Sequence, residues 1–271
     1  MPIRRRAAKA DHPQSILITG ASSGIGEALA LYYAAPGVTL FLSGRNDERL
    51  RAAAEACRQR GAMVEARVVD AAQQGAMQDW IHFADQKSPL DLVIANAGIS
   101  GGTGDGGEDA AQVRQIFDVN VNGVLNTVLP CLPLMMARGR GQIALMSSLA
   151  SFSGWPGAPA YGASKGAVRL YGEGLRGAVA GSGVRINVIC PGFVESRMTA
   201  VNDYAMPFLI DSPKAARIIA RGLLQNRGRV AFPWPSYAIA VFVTLLPRGL
   251  ADKILANLPR KPAMLKDNTS T

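Results

Sequence analysis

Ile16-Leu17-Ile18-Thr19-Gly20-Ala21-Ser22-Ser23-Gly24-Ile25-Gly26 decides how the rest of the 271 residues is read. A short apolar run enters a turn holding three glycines, and an amphipathic segment over 27–35 follows. The pattern predicts a strand, a tight turn and a helix. Glycines let the backbone bend sharply and let a pyrophosphate approach the helix N-terminus, where free N–H groups and the macrodipole favour an anion. The spacing is G-x-x-x-G-x-G and departs from the commoner G-x-G-x-x-G. The strand-turn-helix context therefore carries the assignment to dinucleotide binding.

The rest of the chain repeats this alternation. A second strand over 38–43 ends in Gly44-Arg45-Asn46, about 20 residues beyond the turn, where NAD-selective sites place an acid on the ribose 2′-hydroxyl. The carboxylate is missing here and the Arg45 guanidinium stands nearby. NADP(H) is favoured, with NAD(H) as the alternative; the plain reading of Arg45 is a solvated loop charge. Asp47 reads as the cap of the next helix, with Leu50 and Ala54 facing inward. A third strand over 64–69 closes at Asp70, either a helix cap or an adenine contact. A fourth over 90–94 ends in Ala95-Asn96-Ala97-Gly98, and a flexible glycine-rich loop over 101–107 follows. The helix expected over 110–136 carries Asn120, whose amide must find partners if buried. Strands over 143–146 and 184–189 end at Ser147-Ser148 and Cys190-Pro191-Gly192. Six such alternations predict an α/β chain, a parallel sheet with helices on both faces. Gly20, Arg45, Asp70, Asn96, Ser148 and Pro191 then converge at strand ends, where such sheets bind ligands.

Between the last two strands lies Tyr161-Gly162-Ala163-Ser164-Lys165. Residues four apart on a helix share a face. A free phenol titrates near pH ~10, and lowering it by about 3 units takes roughly 4 kcal/mol. One ammonium about 4 Å away supplies that much at an effective dielectric near 20. The spacing allows an activated phenol; two neighbouring surface side chains are the plain alternative.

These motifs together resemble those of the short-chain dehydrogenase/reductase family over residues 14–200. Thr19-Gly20-x-x-x-Gly24-Ile25-Gly26 matches its coenzyme turn, and Asn96-Ala97-Gly98 its N-A-G motif. Ser148 and Tyr161-x-x-x-Lys165 match its active site, and Pro191-Gly192 its later cofactor motif. The resemblance implies a single Rossmann-like, doubly wound sheet and a hydride transfer between a nicotinamide cofactor and an alcohol or ketone. Tyr161 would be the acid/base, Lys165 would lower its pKa and hold the nicotinamide ribose, and Ser148 would polarise the carbonyl. Asn120, three residues before Gly123, would hold a proton-relaying water. The implied cofactor contacts are Thr19, Gly20, Ser22, Ser23, Gly24, Ile25, Gly26, Arg45, Asp70, Asn96, Ala97, Gly98, Tyr161, Lys165, Pro191, Gly192, Val194 and Ser196. Two departures are Ala95, where the family has a first asparagine, and Ser196, where threonine is commoner.

Composition bounds the alternatives. A chain with 48% hydrophobic residues can bury a large core in one domain. Three cysteines without ligand spacing indicate a reducing compartment, and two isolated histidines give no metal site. The +9 charge is scattered without aromatic interleaving, so no nucleic-acid partner is expected. Arg4-Arg5-Arg6 with Lys9 makes residues 1–13 a basic arm, free, lipid-facing or, third, nucleic-acid-facing. With no apolar run near ~20 residues and no signal h-region, a cytoplasmic protein is expected.

Beyond the core, residues 201–258 form a C-terminal extension of the same domain, with a helical segment over 207–221 turning Ile218 and Ile219 inward. The apolar stretch over 238–246 reads as a buried helix closing the substrate cleft or a subunit interface. The alternative is an interfacial helix with Trp234 and Tyr237 at a membrane surface. Similar extensions occur in members of the resembled family that handle lipophilic substrates, so the resemblance implies an apolar alcohol or ketone. Gly166, Gly172, Gly174 and Gly177 predict close packing of the active-site helix on another helix, which in the resembled family implies a homodimer or homotetramer. Residues 259–271 read as a polar, unstructured tail.

Overall fold

The computed structural model describes residues 12–264. The basic cluster Arg4, Arg5, Arg6 and Lys9 lies outside them. Strand β1 (Ser15–Thr19) leads into helix α1 (Gly24–Tyr33), followed by β2 (Thr39–Gly44), α2 (Asp47–Arg58), β3 (Met63–Val68), α3 (Gln74–Lys87) and β4 (Leu92–Ala95). Next come α4 (Ala110–Phe117), a π-helical turn (Asp118–Asn122), α5 (Gly123–Arg138), β5 (Gly141–Met146) and a short 3-10 turn (Leu149–Ser151). The chain continues through α6 (Pro159–Ala178), β6 (Val184–Pro191), α7 (Arg197–Ala200), α8 (Ser212–Leu224), β7 (Arg229–Phe232), α9 (Trp234–Leu245) and α10 (Arg248–Ala256).

All seven strands are parallel, in the order β3-β2-β1-β4-β5-β6-β7. Strand side chains alternate between faces, so β1 divides its apolar run between two cores. Ile16 and Ile18 join Leu40, Leu42, Ile219 and Leu223 on the α1/α8 side. Leu17 joins Phe41, Trp80, Val93, Val128 and Val168 on the α3/α5/α6 side. Burying each such side chain contributes about 1.5–3 kcal/mol. The strand order reverses between β1 and β4, which opens a crevice at their carboxyl ends.

The expected doubly wound sheet is present, with differences at its margins. A seventh strand, β7, extends it along β6, Ile189 opposite Val230. Asn46, and not Asp47, caps α2: its Oδ1 accepts from the Arg49 N–H at 2.9 Å. Asp70 closes a local turn by accepting from the Ala72 N–H at 3.0 Å, while Gln73 precedes α3. Helix α8 begins at Ser212, because Asp211 caps it through the Lys214 N–H. Ile219 is fully buried on it and Ile218 packs against the same core.

The helical run 110–138 is long and apolar enough to cross a membrane by composition. It packs instead on the sheet and on α3, burying Val124, Val128, Cys131 and Met135. Only one face of α9 is covered. Val243 is buried, whereas Trp234, Phe242 and Leu245 are exposed, so the expectation of a buried helix holds for one side alone. Gly172 packs α6 on its own sheet and not on another helix: a Cβ there would lie 2.6 Å from Val188 Cγ2. A Cβ on Gly174 or Gly177 would meet nothing within 4 Å.

The tail expectation fails for its first six residues. Trp155 Nε1 donates to Pro259 O at 3.1 Å, Gly104 N to Lys261 O at 3.0 Å and Gly102 N to Pro262 O at 2.9 Å. Met264 N donates to Gln112 Oε1 at 2.7 Å. Backbone pairing with the glycine loop holds this segment, which side-chain polarity does not foretell.

Candidate active site

The crevice is a continuous cleft of about 1240 Å³ along the carboxyl ends of β1, β2, β4, β5 and β6. At one end, Gly20 and Gly24 adopt φ of +66° and +58°, which the turn can take without a Cβ. A Cβ on Gly20 would stand 2.8 Å from Ala97 Cα, so turn and β4 are nearly in contact. Asn96 fastens them: its Nδ2 donates to Thr19 O at 2.9 Å and Gly20 O at 3.2 Å. Thr19 Oγ1 accepts from the N–H groups of Asn96 and Ala97, both at 3.0 Å. The turn is therefore rigid before any ligand arrives, and Ala95 costs it none of these bonds. The cradle of small residues and helix-end N–H groups fits a dinucleotide pyrophosphate.

Ser148 ends β5. Its Oγ accepts from the Ala150 N–H at 3.1 Å and donates to Pro191 O at 3.4 Å. Helix α6 is pinned to the strand by Ser147 Oγ, which donates to Lys165 O at 2.7 Å. This sets Tyr161 and Lys165 against the sheet end. Lys165 is 3% exposed, and its Nζ donates to Met146 O at 3.0 Å and lies 6.0 Å from the Tyr161 ring centroid. Burial pulls the Lys165 ammonium down to about 8. Burial also raises the Tyr161 phenol above its ordinary value, with the Ser148 hydroxyl opposing. Among the protein's own influences, burial and not the lysine dominates the phenol's shift.

Asn120 sits in the π-helical turn, fully buried. Its Oδ1 accepts from Ile99 N at 2.8 Å, and its Nδ2 donates to Ile99 O and to Ser164 Oγ, both at 3.0 Å. A Cβ on Gly98 would stand 3.1 Å from both Asn120 Oδ1 and Lys165 Nζ, so glycine lets these groups approach each other.

Of the residues expected at the site, Thr19, Gly20, Ser22, Ser23, Gly24, Ile25, Arg45, Asp70, Asn96, Ala97, Gly98, Ser148, Tyr161, Lys165, Pro191, Gly192, Val194 and Ser196 all line the cleft. Gly26 and Asn120 stand behind the lining. A Cβ on Gly26 would lie 2.3 Å from Gly20 O, so this glycine packs the turn onto α1. Two features escaped the sequence, Arg49 and Lys261, while the α9 wall stands where the reading of 238–246 as a cleft-closing helix put it. Arg49 joins Arg45 at the β2 end with its Nε buried and unpartnered. Ile239, Ala240 and Val243 of α9 form an apolar wall. Lys261, buried beside Tyr161, belongs to no motif and was found only through the packing of residues 259–264.

Fold and cleft together define a dinucleotide-binding protein with a buried Tyr161–Lys165 pair at the far end of the cleft. The family model for short chain dehydrogenase matches residues 14–205. The chain belongs to the short-chain dehydrogenase/reductase family, and is an oxidoreductase that binds a nicotinamide cofactor. It is 38% identical over 240 residues to an uncharacterized oxidoreductase of Myxococcus xanthus, covering 88% of this chain and 95% of that one. It is 33% identical to one of Mycobacterium tuberculosis over 247 residues, covering 89% and 96%. Sulfoacetaldehyde reductase 2 of Chromohalobacter salexigens is 34% identical over 189 residues, covering 69% and 75%. Among solved structures, a short chain dehydrogenase/reductase from Burkholderia phymatum in complex with NAD shares the fold at a TM-score of 0.79 and 22% identity, covering 96% and 100%. Levodione reductase does so at 0.75 and 23%, covering 82% and 97%.

Proposed function

We propose that this chain is an NADP(H)-preferring dehydrogenase or reductase that interconverts a lipophilic alcohol and its ketone or aldehyde. The observation that carries it is the gathering of Ser148, Tyr161 and Lys165 at one end of a cleft whose other end presents Arg45 and Arg49. When bound, the cofactor supplies or accepts the hydride. Ser148 holds the substrate oxygen and Tyr161 gives it a proton in reduction or takes one in oxidation. Lys165 holds the nicotinamide ribose, and Asn120 positions the relay behind it. Oxidation requires the phenol to ionise, which burial resists and the Ser148 hydroxyl favours; a bound oxidised nicotinamide would add a positive charge that favours it further.

Two guanidiniums and no acid at the end of β2 support recognition of a 2′-phosphate, to which arginine forks bind bidentately. Arg45→Asp combined with Arg49→Gln, assayed as the ratio of kcat/KM for NADPH and NADH, is expected to fall at least tenfold. An unchanged ratio removes the cofactor preference. The α9 wall, continued by Leu255 and Leu258, supports a lipophilic substrate.

The outward stripe Ala163, Ala167, Leu170 and Gly174 on α6 supports assembly into a homodimer or homotetramer. All three cysteines are free and buried, in keeping with a reducing, cytoplasmic setting. Trp234, Phe242 and Leu245 are the residues through which a peripheral membrane contact would form. Vesicle co-sedimentation of the full chain tests that contact, and no pelleting removes it.

A further inference from the structure

Lys261 follows α10 in a segment fixed by main-chain bonds. Its N–H donates to Gly157 O at 3.3 Å, and its carbonyl accepts from Gly104. A Cβ on Gly102 would lie 2.5 Å from Lys261 Cβ, so the two backbones are pressed together and the side chain has a defined origin. The residue is 6% exposed and its Nζ lies 5.8 Å from the Tyr161 ring centroid, opposite in sequence and origin to Lys165. Lys165 has a carbonyl partner. Among the described residues, Lys261 Nζ has neither a hydrogen-bond acceptor nor a carboxylate within salt-bridge distance. Glu108, on the neighbouring loop, turns to the Ala160 N–H at 3.0 Å instead.

A buried ammonium that faces only an aromatic ring is poorly compensated, because a cation–π contact recovers a small part of the lost hydration. It does line the cleft, on the side of Trp155, Leu258 and Pro259 and away from Arg45. We infer that Lys261 is a substrate-binding residue for an oxyanion, and that the substrate is an aldehyde, ketone or alcohol carrying a carboxylate or sulfonate a few bonds from the reacting carbon. This rests on the oxidoreductase reading above and deepens it: the apolar wall receives the body of the substrate and Lys261 its charge.

The test uses the full chain with saturating NADP⁺ or NADPH, and 4-formylbenzoate and its methyl ester as matched probes. Isothermal titration into the NADP⁺ complex reads affinity, and NADPH absorbance reads turnover. The acid is expected to bind at least tenfold more tightly than the ester. Lys261→Met should abolish that preference, while ester affinity and NADP⁺ affinity change less than twofold. Lys261→Arg should keep most of the preference, and Glu108→Gln should leave it within twofold. An acid that binds no better than its ester, or a preference that survives in Lys261→Met, overturns the inference. Charge-selective binding without turnover of any carbonyl would instead count against the oxidoreductase reading alone.

Discussion

At the scale of single residues, the site is a set of groups whose burial works against their charge. Tyr161 is held neutral and Lys165 is drawn towards neutrality, so proton transfer depends on small changes in local field. Tyr161→Phe keeps the ring and loses the proton. Turnover should fall by about 10²–10⁴-fold or more while NADPH affinity stays within a few-fold, read by stopped-flow and cofactor fluorescence. Activity within tenfold of wild type would sink the mechanism. Lys261 allows a test by stability. Burial moves it from 10.5 to about 8, so the unfolded chain binds more protons between those values. Its charge therefore costs about 3 kcal/mol at neutral pH, a cost present below pH 8 and relieved as pH rises towards 10.5. Tyr161, Lys165 and Glu108, the titratable side chains nearby, are the same in both proteins. Lys261→Met should stabilise the protein at pH 7 by about 1–3 kcal/mol and lose that gain by pH 10.5, measured by urea unfolding at each pH. A gain that ignores pH would refute the buried-charge account.

At the scale of elements, α6 shows how one helix serves three surfaces. Its inner face sets Tyr161 and Lys165, its flank holds Gly172 against Val188 and Leu145, and its outer face is bare. Gly172→Ala should destabilise by about 1–3 kcal/mol, since the added methyl has no room. Gly174→Ala, two residues on, should stabilise the protomer by up to about 1 kcal/mol through helix propensity. Urea unfolding at low protein concentration separates them, and equal effects would contradict the packing described. Glycines read from sequence as a single helix-packing stripe thus divide by face. Elements carrying a phosphate turn or a proton-transfer pair were legible because their chemistry needs fixed residue types at fixed spacing. β7 was not, being four residues between an arginine-rich turn and a proline. α10 was not, because Arg248 to Ala256 alternates charge and apolar residues without a marked start.

For the whole molecule, a parallel sheet with helices on both faces and a ligand crevice at its carboxyl strand ends followed from six repeats of strand, turn and helix, whereas the strand order and the seventh strand came from the structure. The substrate side was legible in part: the apolar run over 238–246 marked the α9 wall, whereas the contribution of residues 259–264 is set by packing and backbone pairing. Arg49 was hidden one turn inside α2, and Lys261 in a stretch that reads as solvent-exposed. The exposed stripes of α6 and α9 leave large apolar side chains, Leu170 and Leu245 among them, on the surface of one copy. Sedimentation velocity at micromolar concentration should show two or four chains, and Leu170→Asp should weaken association at least tenfold. A monomer would dismiss subunit assembly.

The bonds that fix residues 259–264 have a consequence for the order in which the enzyme comes into being. Trp155 waits for a partner 104 residues downstream, and Gln112 for one 152 residues downstream. A chain emerging from the ribosome can assemble the glycine turn, the β1–β4 contact and helix α6 well before residues 259–264 appear. A chain lacking residues 259–264 would thus hold dinucleotide with its substrate chamber still open, so specificity rests on contacts made far apart in the sequence.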